Sequence, residues 1–179
     1  ARAVFRQAGL AYDSLKALAA ARGFGAIPLG LHASLTMRNT VERSTSNNVL
    51  GVLPGVGRPD EYVVYMAHWD HLGRDPALEG DQIYNGALDN ATGTAGILML
   101  AQAFTSLEER PARSLLFLCV TAEEQGLLGS AYYAAHPTAP LHKTVAVINM
   151  DMLNIWGPMH DITVVGHGMS ELDEYLAEA

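Results

Sequence analysis

Three apolar stretches of the sequence each end in side chains that could bind a metal ion. The stretches and the residues that follow them are 62–67 with His68 and Asp70, 115–120 with Glu123 and Glu124, and 145–148 with Asp151. Uninterrupted apolar runs of this length are typical of strands in a parallel sheet that is covered on both faces. Since ligands bind at the carboxyl ends of such strands, we expect these side chains to meet at one edge of one sheet.

A fourth candidate, Asp89, lies in a glycine-rich segment directly before an apolar helix predicted at about 92–107. Asp89 could simply cap this helix, because aspartate and asparagine are favoured at helix N-termini. A carboxylate on such a turn could also bridge two cations through its two oxygens. Histidine, aspartate and glutamate without cysteine suit zinc, or other divalent ions such as manganese and cobalt.

The two pairs of polar residues allow a division of roles. Residues two apart on a strand share a face, so Asp70 can accept a hydrogen bond from His68 and fix its tautomer. The neighbouring carboxylates of Glu123 and Glu124 point in different directions, so one can bind a metal ion while the other accepts a proton. Each motif alone has an ordinary structural explanation, whereas the four together favour a functional site.

The elements that position these residues alternate between strand and helix from residue 62 onward. Besides the helix at 92–107, the pattern predicts helices at 3–22 and 127–135 and from Ser170, and strands at 31–43, 48–53, 62–67, 115–120, 145–150 and 162–165. The first two strands could form a hairpin at an antiparallel edge. This order predicts an α/β fold with three layers, α/β/α, around a mixed, mainly parallel central sheet.

The composition excludes several classes of protein. A hydrophobic content of 49% is that of a globular chain, and a net charge of −8 argues against nucleic acid as a partner. The single cysteine, Cys119, rules out a disulfide framework within the chain and is expected to be buried and inert. No apolar stretch reaches the roughly 18 residues of a membrane-spanning helix.

The order of the motifs resembles the co-catalytic dizinc aminopeptidases, which include the bacterial leucyl aminopeptidases, aminopeptidase Y and the relatives of glutamate carboxypeptidase. The motifs are His68-x-Asp70, Gly-Ala-Leu-Asp89-Asn-Ala-Thr-Gly, Glu123-Glu124-Gln-Gly-Leu-Leu-Gly-Ser and Asn-Met-Asp151, and the resemblance extends from about residue 36 to 175. It implies the fold of the zinc exopeptidases and a hydrolase that removes N-terminal residues from peptides.

The resemblance implies two zinc ions as cofactors. His68, Asp89 and Asp151 would hold the first ion, and the second would share Asp89 and add Glu124. The family completes the second site with a histidine well downstream. His160 and His167 follow Asp151 too closely for that role, so this ligand is expected after residue 179.

The resemblance also implies roles in catalysis. Glu123 would be the general base that activates the attacking water and passes the proton to the leaving amine. Asp70 would orient His68. The substrate would be a peptide with a free N-terminus, and the peptide bond between Asp89 and Asn90 is a candidate cis bond.

The expected organisation is a linker helix in residues 1–24 followed by a catalytic domain in residues 25–179, cut short at its C-terminus. On this hypothesis the chain by itself binds metal weakly or singly and has little activity. The resemblance further implies a protease-associated domain upstream, which many relatives with this lead-in sequence carry, and a periplasmic or extracellular location, because such proteins are usually exported.

Two alternatives stay open at this point, and His68 argues against a third, the glutaminyl cyclases. Related dizinc carboxypeptidases and deacylases share the order of ligands but differ around the aspartate that corresponds to Asp89. Glutaminyl cyclases share the fold but lack a ligand like His68. A binding module of the same fold, such as a receptor ectodomain, would be expected to have lost metal ligands.

Overall fold

The computed structural model of the chain describes residues 1–160 and 163–178, which form two compact units divided between Arg43 and Ser44. The first unit contains two short helices, α1 (Arg2–Gln7) and α2 (Tyr12–Ala19). The single helix predicted at 3–22 is wrong, because Gly9 adopts φ 72°, which a helix cannot accommodate. The strand predicted at 31–43 is also wrong, since the described residues of this unit include no second strand to pair with it.

The second unit is built on a four-stranded sheet whose strands are β1 (Val49–Leu53), β2 (Arg58–His68), β5 (Arg113–Val120) and β6 (Thr144–Asn149). Their order in the sheet is β1-β5-β2-β6. A separate short ribbon pairs β3 (Gly73–Arg74) with β4 (Ile83–Tyr84). β2 runs parallel to both β5 and β6, whereas β1 is an antiparallel edge strand on β5. The predicted mixed, mainly parallel sheet is therefore confirmed, although β1 pairs with β5 and not with residues 31–43.

The register of the parallel strands aligns their carboxyl ends. His68 at the end of β2 lies beside Val120 at the end of β5, and Met66 lies beside Asn149 at the end of β6. The chain segments that follow these three strands therefore leave the sheet at the same edge.

Helices cover both faces of this sheet. On one face α3 (Ala91–Thr105) packs Ile97 against Leu115 and Phe117, and on the other α4 (Leu128–Ala135) packs Tyr133 against Leu116 and Leu118. These two apolar clusters are the core, and they give the three layers that the sequence predicts.

The burial of α3 differs from the expectation that this helix is enclosed on most sides. Leu98 and Met99 are 65% and 70% exposed, because the described residues that pack on α3, which belong to the sheet and to the segment after β6, leave this side uncovered. A short 3₁₀ turn, Leu141–Lys143, leads into β6, and α5 (Leu172–Glu178) follows Ser170 as predicted. The strand predicted at 162–165 begins at Ile162, outside the described residues, and residues 163–165 are irregular. None of the described helices is long and apolar enough to cross a membrane.

Candidate metal centre

The ring of His68, the last residue of β2, is buried with 3% of its surface exposed. Its Nδ1 atom lies 3.1 Å from the backbone oxygen of Asp70. A carbonyl oxygen only accepts hydrogen bonds, so Nδ1 carries a proton, and in the neutral ring Nε2 is then free to bind a cation. That Nε2 atom lies 3.1 Å from Oδ1 of Asp89 and 3.5 Å from Oδ1 of Asp151.

These three side chains have the chemistry and the spacing of a zinc site. Two atoms that bind one tetrahedral zinc ion at about 2.0–2.1 Å lie about 3.3 Å apart, close to the distances from His68 to Asp89 and Asp151. A nitrogen lone pair that faces two carboxylates is favourable only when a cation or a proton lies between them. His68, Asp89 and Asp151 therefore fit a divalent cation.

A second group of possible ligands shares Asp89 with the first. Ligand atoms of His71, Asp89 and Glu124 all lie within 4.8 Å of one another. Asp89 thus lies between the two groups, where a bridging carboxylate is expected. His71 is absent from the residues selected from the sequence, although its position in His68-Trp-Asp-His71, at the end of a predicted strand, was an available signal.

Asp70 contacts its neighbours differently from the sequence-based expectation. Its carboxylate oxygen Oδ1 lies 3.8 Å from Nδ1 of His68, beyond hydrogen-bond distance, and the backbone oxygen of Asp70 orients the ring instead. The carboxylate accepts the backbone N–H groups of Glu123, at 3.0 Å, and Glu124, at 3.3 Å. Asp70 therefore connects the segment after β2 to the segment after β5.

The side chain of Asn90 forms hydrogen bonds to the first turn of α3 and to Met150, the residue before Asp151. The peptide bond between Asp89 and Asn90 is cis, which confirms the prediction from the resemblance. The Asn90 side chain accepts the N–H of Gly93 at 2.9 Å and donates to the backbone oxygen of Met150 at 3.0 Å. A Cβ atom at Gly93 would collide with both partners, so the close approach requires glycine.

Burial and the negative charges of the site together change the pKa of two of its residues. Burial raises the pKa of Glu123 above its usual value, and the charges of Glu124 and Asp151 raise it further against the opposing effect of His68. Burial acts to lower the pKa of His68. The hydrogen bond to Asp70 and the nearby carboxylates outweigh burial, so the pKa of His68 is raised. A cation would act in the opposite direction on both groups.

The fold and this cluster define an α/β protein with carboxylate and imidazole donors for divalent cations at the carboxyl ends of its parallel strands. The chain belongs to Peptidase family M28, which matches residues 48–179. This is a family of zinc metallopeptidases that includes aminopeptidases, so the predicted resemblance is confirmed at the level of the family.

Three similar proteins illustrate the range of the match. Aminopeptidase NAALADL1 of Mus musculus is 35% identical over 133 residues, which are 72% of this chain and 16% of that protein. Transferrin receptor protein 2 of Homo sapiens is 32% identical over 126 residues, 68% of this chain and 14% of that protein. BSAP, a zinc aminopeptidase from Bacillus subtilis, aligns with a TM-score of 0.48 at 29% identity, over 59% of this chain and 24% of that one. The chain spans less than a quarter of the length of each.

Proposed function

We propose that the protein is a zinc-dependent aminopeptidase and that the cluster at the carboxyl edge of the sheet is its active site. The observation that carries the proposal is the position of the buried Nε2 atom of His68, 3.1 Å and 3.5 Å from the carboxylates of Asp89 and Asp151. The mouse relative is named an aminopeptidase, which favours removal of N-terminal residues over the action of a carboxypeptidase or a deacylase.

In this proposal the chain provides ligands for two zinc ions. His68, Asp89 and Asp151 hold the first, and Asp89 and Glu124 contribute to the second. Zinc bound in this way supplies Lewis-acid activation of the scissile carbonyl group and of the attacking water.

Glu123 is the proposed general base. Its Oε2 atom lies 3.9 Å from Nε2 of His68, farther than the carboxylates of Asp89 and Asp151, so it borders the cation site without being one of its closest donors. A carboxylate in this position can accept a proton from water and then donate it to the leaving amine nitrogen.

Asp70 holds this base in place. The hydrogen bonds from the N–H groups of Glu123 and Glu124 to the Asp70 carboxylate fix the backbone of the segment after β5 relative to the end of β2. The same carboxylate adds negative charge near Glu123, which contributes to the raised pKa of Glu123.

The proposed substrate is a peptide with a free N-terminus. A site lined by several carboxylates attracts the protonated amino group of such a peptide more strongly than a blocked one. An acylated N-terminus removes that charge, so N-acetylated substrates are expected to react poorly.

The test compares Glu123→Gln with Glu109→Gln, a matched substitution at an exposed glutamate, in the full-length protein. We expect Glu123→Gln to lower hydrolysis of leucine 4-nitroanilide by about 10²–10⁴-fold with zinc content unchanged, and Glu109→Gln to leave both unchanged. Zinc is measured by mass spectrometry on the dialysed protein.

The other outcomes identify the alternatives. A wild-type protein that hydrolyses N-acyl amino acids but not aminoacyl nitroanilides is a deacylase. Bound zinc without turnover of any aminoacyl, acyl or C-terminal peptide substrate indicates a binding module. A protein that binds no zinc contradicts the proposal altogether.

A further inference from the structure

His71 and Glu124 form a short hydrogen bond beside the candidate metal centre. Nδ1 of His71 lies 2.6 Å from Oε1 of Glu124, and the two side chains are only 22% and 19% exposed. An ionised carboxylate only accepts hydrogen bonds, so Nδ1 of His71 carries the proton and donates the hydrogen bond to Glu124. At this distance the bond is of the strong, charge-assisted type.

The spacing of this pair differs from that around His68. Nε2 of His68 lies 3.1 Å and 3.5 Å from its two carboxylates, as two donors to one zinc ion do. The 2.6 Å between His71 and Glu124 is the distance of a donor and an acceptor that share a proton. Within one site, therefore, the two histidines have different relationships to the neighbouring acids.

The ring of His71 is held in place by its surroundings. A Cβ atom on Gly86 would lie 3.0 Å from Cβ and 3.1 Å from Cγ of His71, so the glycine permits a close approach of the backbone to the ring. Tyr84 contacts the ring edge-on, with centroids 6.3 Å apart. A ring confined in this way can fix the orientation of a carboxylate that it hydrogen-bonds.

We propose that His71 is a positioning residue for the second zinc ion: its Nδ1–H group binds Oε1 of Glu124 and leaves Oε2 to bind the metal. The proposal rests on the proposed function, because it assigns Glu124 as a metal ligand. It explains why the second group contains a histidine that pairs with an acid at hydrogen-bond distance. Loss of such an outer hydrogen bond typically weakens metal binding by about 10–100-fold.

Two substitutions separate orientation from direct ligation. His71→Ala removes the hydrogen-bond donor, whereas His71→Asn keeps an N–H donor near the position of Nδ1 but is a poor zinc ligand. His142→Ala is the control, since His142 is exposed and precedes β6 at the opposite end of that strand. Zinc titration of the metal-free full-length protein, in competition with a chromophoric chelator, gives the affinity of each equivalent.

We expect wild type and His142→Ala to bind two zinc ions. His71→Ala should bind the first ion unchanged and the second about 10–100-fold more weakly. His71→Asn should recover most of the lost affinity. Wild-type affinity in His71→Ala overturns the proposal, and so does an Asn variant as weak as the Ala variant, which would make His71 a ligand.

The titration also distinguishes this inference from the proposed function. A wild-type protein that binds no zinc overturns both, whereas two zinc ions bound equally well by wild type and His71→Ala overturn only the role of His71. If the Ala variant does not fold, NMR of ¹⁵N-histidine-labelled wild type loaded with ¹¹³Cd decides. A proton retained on Nδ1 of His71 without cadmium coupling supports the proposal, and coupling to either ring nitrogen overturns it.

Discussion

The side chain of Asn90 donates a 3.0 Å hydrogen bond to the backbone oxygen of Met150. Asn90 follows Asp89 and Met150 precedes Asp151, so this hydrogen bond connects the chain segments that carry two proposed metal ligands. Oδ1 of Asn90 also lies 3.3 Å from the N–H group of Met152. The separation of Asp89 and Asp151 therefore depends on a residue that binds no metal itself.

Replacement of Asn90 by alanine is expected to destabilise the fold by roughly 2–4 kcal/mol, because the helix loses its cap and the half-buried carbonyl of Met150 loses its donor. The affinity for the first zinc ion should fall with it, because Asp151 loses its anchor. Urea denaturation and zinc titration measure the two effects. Asn47→Ala, at an exposed position, is the control and should match wild type in both. An Asn90→Ala protein with unchanged zinc affinity would show that the bond does not set the spacing of the ligands.

Leu116 at the centre of β5 is fully buried, with 0% exposure, beneath α4. Leu116→Ala is expected to cost about 2–5 kcal/mol, the range for a cavity in a packed core. Leu98→Ala, at a leucine of α3 that is 65% exposed, should change the free energy of unfolding by well under half of that amount. Chemical denaturation followed by circular dichroism compares the two. Equal losses would mean that the face of the sheet under α4 is not a tightly packed core.

Cys119 lies in β5 with part of its surface exposed, and burial raises the pKa of its thiol above the usual value. Only the thiolate reacts with iodoacetamide, so alkylation of the folded protein should be slower than that of a model thiol at pH 8. The rate of alkylation should continue to increase at pH values above the usual pKa of a cysteine thiol. Alkylation in denaturant provides the reference rate. A folded protein alkylated as fast as the denatured one would contradict the raised pKa.

Much of the sheet was predictable because strands of a covered parallel sheet are continuous apolar runs, although Val145 and Val147 of β6 are each 50% exposed among the described residues. This signal identified β2, β5 and β6, and the rule that parallel strands align their carboxyl ends brought His68, Glu123 and Asp151 together. The same reasoning failed for residues 3–22, where Gly9 interrupts an otherwise helical pattern. It also overestimated the burial of α3, because apolar residues on every side of a helix do not reveal which neighbours cover them.

The finer contacts of the site could not be read from spacing. The alternation of side chains along a strand ends with the strand, so it gave no direction for His71, which lies in the loop after His68. The contact of His71 with Glu124 depends on how the loops after β2 and β5 fold over the edge of the sheet. The hydrogen bond from the backbone N–H of Glu123 to the Asp70 carboxylate also depends on how these loops fold. Every residue type except proline carries a backbone N–H group, so the sequence did not indicate this contact.

The strand order also determines when the site can form during synthesis on the ribosome. β2 emerges before both of its partners, because Val64 pairs with Leu116 and with Val147. Such long-range parallel pairing is slow and leaves an apolar strand exposed in the nascent chain until its partners have been translated. Because Asp151 follows β6, the proposed first zinc site can form only after β6 has been translated. Metal bound at this site can therefore stabilise the protein only after three separate strands have left the ribosome, and until then the apolar strands depend on other protection from aggregation.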